Sequence, residues 1–395
     1  MSHSDTSPVT HFGGMAMANI YDYLDWRGDL TFEQSPFNEV DNLVLSGVAY
    51  VFFDGIVPGI GEGDVTVKEA AKHFFKIHSE AELAADKSFI NFAPDVLRKM
   101  AVSKRFSNAI LRNYVSKIDY DANIQFSAIE IRLQDGASYI AFRGTDDSLV
   151  GWKEDFMLSF GTVPSEQEAV NYLDQTQKGK KKKLILGGHS KGGHIAIYAA
   201  AFCDQKIRNR IIKIYSNDGP GFYEELINTP QIRAVAPLVT KIVPEASVIG
   251  MLMEHVATPK IIKSSEVGFM QHKVTSWQVM GTKFVPGKGI TIAGQALDQA
   301  LNHWIHEIDY DKRKIVVDDI FNVLEASGSK GLTNLTDGGI KALMNMLEKN
   351  NETDPQTKEI IKLLIKNLAS QVITTIPMAK SKTRRKKTVK MREKF

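Results

Sequence analysis

Apolar residues recur at helical spacing along the first third of the chain. From Asn38 they fall at Val40, Leu43, Val44, Gly47, Val48 and Val51, three and four apart, as on one face of a helix. Asn38 with Asp41 three residues later marks its start. Two further amphipathic helices are predicted over 67–84 and 94–116, with Pro94 suited to a first helical turn. The period then drops to two. QFSAIEIRLQDGASYIAFRGT alternates apolar and polar residues and breaks at Asp135-Gly136, which predicts a hairpin. A helix near 165–178, an apolar LILGG strand, a helix over 191–204, and strands over 211–216 and 238–243 follow. Strands alternating with helices predict an α/β fold with a mostly parallel sheet flanked by helices.

Beyond residue 290 the pattern is helical again, over 294–310, 315–327, 338–349 and 355–373. The expected organisation is a flexible N-terminus (1–18), an α/β domain with its N-terminal helices (19–290), a helical extension (291–378) and a basic tail (379–395). Whether residues 38–116 cover a site as a lid is open at this level.

Charge sharpens one part of this picture. Of the last 16 residues nine are Lys or Arg and one is Glu, or +8, so a chain with a formal net charge of +3 has a body near −5. A basic body would point to a polyanion partner; here only the tail is basic. It reads as a solvated, disordered end or as a weak membrane-surface contact through 380–395. Specific nucleic-acid binding is not expected. The single cysteine, Cys203, rules out an internal disulfide framework and fits a reducing compartment. No apolar stretch approaches the roughly 20 residues that span a bilayer, and the first 30 residues lack the basic-then-apolar order of a secretory signal. A cytoplasmic protein is expected.

The chemistry concentrates at Gly188-His189-Ser190-Lys191-Gly192, a G-x-S-x-G pattern between an apolar strand and an apolar helix. A serine at such a corner is a nucleophile on a strained turn, with glycines where side chains would clash; the bland reading is a serine that caps the helix. Phe142-Arg143-Gly144-Thr145-Asp146 ends the hairpin's second strand. Its turn would aim Thr145 at the same point as the N–H of Lys191, as the two donors of an oxyanion hole. The bland reading is a β-turn with Arg143 in an ion pair. H-E-x-x-H, C-x-x-C, Walker A and a post-strand G-x-G-x-x-G are lacking, so neither a metal nor a cofactor is expected.

AFRGT, then Gly151-Trp152 and Asp155, then GGHSKGG, resembles the class 3 lipases of the α/β-hydrolase fold. The whole order from YDYLDWRGDLTF through SNDGPGF and VPEASVIGML to QHKVTSW resembles, more closely, a bacterial lipase-like family of unknown function described as Mbeg-like. The resemblance covers roughly residues 18–280. It implies Ser190 as nucleophile, Thr145 as an oxyanion residue, and Trp152 and Asp155 as supports of the loop behind it, with a small ester or lipid as substrate.

In this fold the triad runs Ser, acid, His along the chain. His272, in the loop-like GFMQHKVTSW, is the expected base. His255, on a predicted helix, reads as structural; His194, His303 and His306 are poorly placed. The acid is open. The class 3 pattern has Asp shortly before Val-Pro, where this chain has Lys241. Glu245, just after that strand, and Asp218, at the end of the preceding one, are the candidates, and a Ser–His pair without a strict acid is a third option. The function predicted is that of a carboxylic ester hydrolase; the alternative is a catalytically weak or inactive hydrolase-fold binding or scaffold protein, membrane-peripheral through its tail.

Overall fold

The computed structural model describes residues 18–146, 148–158, 161–292 and isolated positions between 295 and 362. The N-terminal 1–17, most of the helical extension with His303 and His306, and the basic tail lie outside the described residues.

Eight strands form one sheet in sequential order: β1 (Asp64–Thr66), β2 (Ile110–Asp119), β3 (Ile124–Arg132), β4 (Ser138–Phe142), β5 (Leu184–His189), β6 (Ile211–Asn217), β7 (Val239–Pro244) and β8 (Lys260–Ile262). The pairs from β1 to β4 are antiparallel and those from β4 to β8 parallel. The chain is thus α/β, with the sheet expected of an α/β-hydrolase. The helices are α1 (Ile20–Arg27), α2 (Glu39–Val48), α3 (Val67–Ile77), α4 (Glu80–Ala85), α5 (Ala93–Val102), α6 (Leu149–Met157), α7 (Pro164–Gln177) and α8 (Lys191–Phe202), with shorter turns after them.

The period-two alternation of the strands sorts two cores. Tyr139, Ala141 and Ile185 face a layer built by α1, α2, α3 and α5. Ile140, Phe142, Leu184 and Leu186 face α7 and α8 on the other side. Helix α2 begins at a reciprocal cap between Asn38 and Asp41, which satisfies two orphan N–H groups. Every residue of it from Val40 to Val48 is buried. Asn42 Nδ2 donates to Asn217 Oδ1 at 2.8 Å, and Asn217 Nδ2 donates to the Gly188 carbonyl at 3.0 Å. Helix α2 is therefore core, bonded to β6 directly beneath the predicted corner, and not a lid.

Three expectations are corrected. The helix expected over 94–116 stops at Val102, and Ile110–Asp119 is strand β2. A register shift between Arg112 and Val115, with Asn113 at φ 50°, breaks the strand's alternation. The break leaves Leu111, Tyr114, Val115 and Ile118 at i, i+3, i+4 and i+7, which imitates a helix. The expected helix over 67–84 is likewise two, α3 and α4, because Ser79 starts a new cap. His255 is not helical; it follows Glu254, which bridges to Phe222.

Candidate active site

β5 and β6 are parallel and in register, with His189 opposite Asn217. The next residue on each strand, Ser190 and Asp218, turns with positive φ, 56° and 51°. Two neighbouring strands thus break the same way at the same edge. Ser190 is at φ 56°, ψ −133°, a region costly to any residue with a side chain. Its N–H donates to the Asn217 carbonyl at 2.9 Å, and α8 begins at the following residue. A Cβ on Gly188 would stand 2.3 Å from the carbonyl carbon of Gly192, and one on Gly192 2.1 Å from the Phe142 carbonyl oxygen. The corner closes only because neither has one.

The FRGT turn reaches the serine: a Cβ on Gly144 would lie 3.2 Å from Ser190 Cβ. Thr145 is buried and its hydroxyl donates to Asp155 Oδ2. Burial pushes the Asp155 carboxyl up to about 6, opposed by the Lys191 charge and the Thr145 bond. The Lys191 N–H stands in the first turn of α8, where donors have no partner within the helix. Its side chain turns away into the interior. Nζ donates to the Gln125 carbonyl at 2.9 Å, to Gln125 Oε1 at 2.6 Å and to Glu154 Oε2 at 2.8 Å. This ion pair is fully buried and ties α8 to β3 and α6 behind the FRGT turn.

Arg143 is buried beneath the Phe52 ring, 4.5 Å from its centre, and donates to Ser116 Oγ at 3.1 Å. Its nearest carboxylate oxygen is on Asp146, at 3.9 Å. Trp152, in α6, packs edge-on against Phe89.

His272 ends a 3-10 turn, Gly268–His272, and its Nδ1 lies 2.6 Å from Asp218 Oδ2. The other oxygen, Oδ1, accepts from Ser247 Oγ. Asp218 is fully buried, and its N–H donates to the Ile242 carbonyl at 2.7 Å. Of the two candidate carboxylates, Asp218 is the one brought to His272. Glu245 is turned elsewhere: its carboxylate accepts from the Lys288 N–H at 2.7 Å. Lys241 is buried and donates to the Gly219 carbonyl at 2.7 Å, on the turn that carries Asp218. His194 is structural, held between the Gly221 carbonyl and Glu166. Among the described residues, no group of three or more His, Cys, Asp or Glu side chains could hold a metal ion, and no helix is long and apolar enough to cross a membrane.

Sequence reasoning missed Tyr50, Asn42, Gln125, Glu154, Asn217 and Ser247, all of which hold these segments. Glu154 and Asn217 carried a signal, as neighbours of Asp155 and Asp218 in stretches already singled out.

Among solved structures the chain is similar to a mutant form of MDLA from Penicillium cyclopium, at 13% identity and a TM-score of 0.36, over 64% of this chain and 87% of that one. It is similar to Rhizomucor miehei lipase in its propeptide complex at 16% identity and a TM-score of 0.30, over 40% of this chain and 57% of the lipase. Lipase II from Rhizopus niveus follows at 12% identity and a TM-score of 0.31, over 51% and 80%. No curated protein is significantly similar in sequence. The profile of the Mbeg1-like family matches residues 100–322, which hold Thr145, Ser190, Asp218 and His272. The chain belongs to the Mbeg1-like family.

Proposed function

We propose that the protein is a serine hydrolase of carboxylic esters. The observation that carries this reading is the pairing of a strained Ser190 corner with a half-buried His272–Asp218 hydrogen bond of 2.6 Å, Ser190 and Asp218 following the ends of adjacent parallel strands. A buried aspartate against Nδ1 leaves the proton on that nitrogen and Nε2 free as a base.

In the reaction His272 Nε2 takes the Ser190 hydroxyl proton as Oγ attacks the acyl carbonyl carbon. The carbonyl oxygen gains a negative charge, held by the Lys191 and Thr145 N–H groups. The tetrahedral centre collapses, His272 returns the proton to the departing alkoxide, and an alcohol leaves. Water, deprotonated by the same imidazole, then attacks the acyl-serine and releases the carboxylic acid. Asp218 steadies the imidazolium at both stages.

An apolar acyl chain suits the rim. Half-buried Ile249, Met251, Leu252, Phe269 and Met270 lie on the two loops that carry Ser247 and His272, beside Val267, which is 80% exposed. The test is labelling with a fluorophosphonate and turnover of p-nitrophenyl esters of rising chain length. Labelling of the native chain and its loss in Ser190→Ala is the expected result. Undiminished labelling in that variant would refute Ser190 as the nucleophile, and a native chain that neither labels nor hydrolyses any ester would leave a non-catalytic binding protein on the same fold.

A further inference from the structure

Three chain segments that the chemistry needs in register meet at one buried imidazole outside the triad. His189 ends β5, next to Ser190. Its Nε2 lies 2.8 Å from the His272 carbonyl oxygen and its Nδ1 3.0 Å from the Tyr50 hydroxyl. A carbonyl oxygen only accepts, so Nε2 carries a proton. Burial pushes this imidazole well below its ordinary range. The ring is therefore neutral, and the bare Nδ1 accepts from Tyr50. The Tyr50 hydroxyl in turn presses on the FRGT turn, where a Cβ on Gly144 would stand 2.2 Å from it.

We propose that His189 and Tyr50 are positioning residues, a neutral clamp that fixes the backbone of His272 relative to Ser190 and to the turn carrying Thr145. The inference rests on the hydrolase reading above, and neither residue touches substrate in it. Neutrality is part of the role. The His189 and His272 rings are tilted by 38° to one another, with centres 4.4 Å apart. A fixed cation at 189 would oppose the charge that His272 gains when it takes the serine proton. A neutral imidazole donates to the backbone of the base without that repulsion.

The clamp depends on a donor at the Nε2 position, which separates it from simple packing. Glutamine reaches that position with its side-chain amide; leucine fills the volume without a donor. Misplacing a reacting group by about 1 Å costs about 10²-fold in rate. His189→Leu should therefore slow fluorophosphonate labelling and lower kcat by about 10- to 100-fold with KM little changed, while His189→Gln should stay within about threefold of the native chain. Native-rate labelling in His189→Leu overturns the proposal, and so does equal loss in His189→Leu and His189→Gln. If His189→Leu does not fold, Tyr50→Phe decides: it removes the hydroxyl but keeps the ring, and should lower kcat about 3- to 10-fold with unchanged KM. Native kcat in that variant refutes the clamp. A native chain that does not label at all defeats the hydrolase reading first, and the clamp falls with it.

Discussion

Ser190→Gly and Ser190→Ala both remove the hydroxyl, yet they should differ in stability, and the difference measures what the corner costs. At φ 56° and ψ −133° the backbone of Ser190 lies close to the mirror image of polyproline II. Glycine enters that region as readily as other residues enter its counterpart. For a residue with a Cβ the strain is of order 1–3 kcal/mol, and the upper end applies because this conformation is close to one that only glycine adopts freely. Against a strain of about 3 kcal/mol stand two losses. Glycine frees the unfolded chain by about 0.7 kcal/mol, and removal of a buried methyl costs about 0.8 kcal/mol. The glycine variant should therefore be the more stable by about 1–2 kcal/mol, or about 2–5 °C in melting temperature for a domain of this size. Differential scanning calorimetry of the two inactive variants in one buffer reads this directly. An alanine variant that melts at or above the glycine variant would show that the corner is unstrained, and would remove the main physical argument for Ser190 as a nucleophile.

Asp218→Asn should leave the fold intact and lower kcat by about 10³- to 10⁴-fold, because an amide no longer holds the proton on His272 Nδ1; ester turnover at equal substrate saturation checks it. Asp155 gives a pH signature. Its carboxyl holds a proton more tightly folded than unfolded, so its favourable term is present at low pH and is lost as pH rises through about 6. Native stability relative to Asp155→Asn should therefore fall by about 2 kcal/mol between pH 4 and pH 8; urea unfolding at the two pH values measures it, and a difference that grows with pH contradicts the assignment. Arg105→Met should destabilise by about 3–5 kcal/mol in the same assay. It strands the buried Asp41 and frees the Leu30, Thr31, Ser35 and Pro36 carbonyls that the guanidinium now binds.

The corner was legible because sterics leave few sequences that can make it: glycines where Gly188 and Gly192 cross, a small nucleophile between, an apolar strand before and an apolar helix after. The FRGT turn was legible by its position at a strand end. His272 stood out as a histidine in a loop downstream of the last long strand. The choice between Asp218 and Glu245 was not legible, since both end a strand and only the approach of the 268–272 turn separates them. Strand β2 was hidden by its own bulge. Three of the residues that hold the segments together left no local trace. Tyr50, Asn42 and Gln125 act through contacts that join distant parts of the chain, and such contacts impose no period on the sequence around them.

Asn42 and Asn217 are 175 positions apart, so the bond beneath the corner closes one of the longest loops in the domain. Long loops close late in folding, and during synthesis helix α2 emerges well before the strands it will cover. Its apolar face must wait, solvated or sheltered, until β5 and β6 exist. The segment matched by the family profile starts at residue 100, beyond α2 and Tyr50. A fragment cut at that boundary would keep every proposed catalytic side chain and lose the layer that seats them. It should aggregate through the bare face of the sheet, whereas a fragment begun at residue 18 retains its covering.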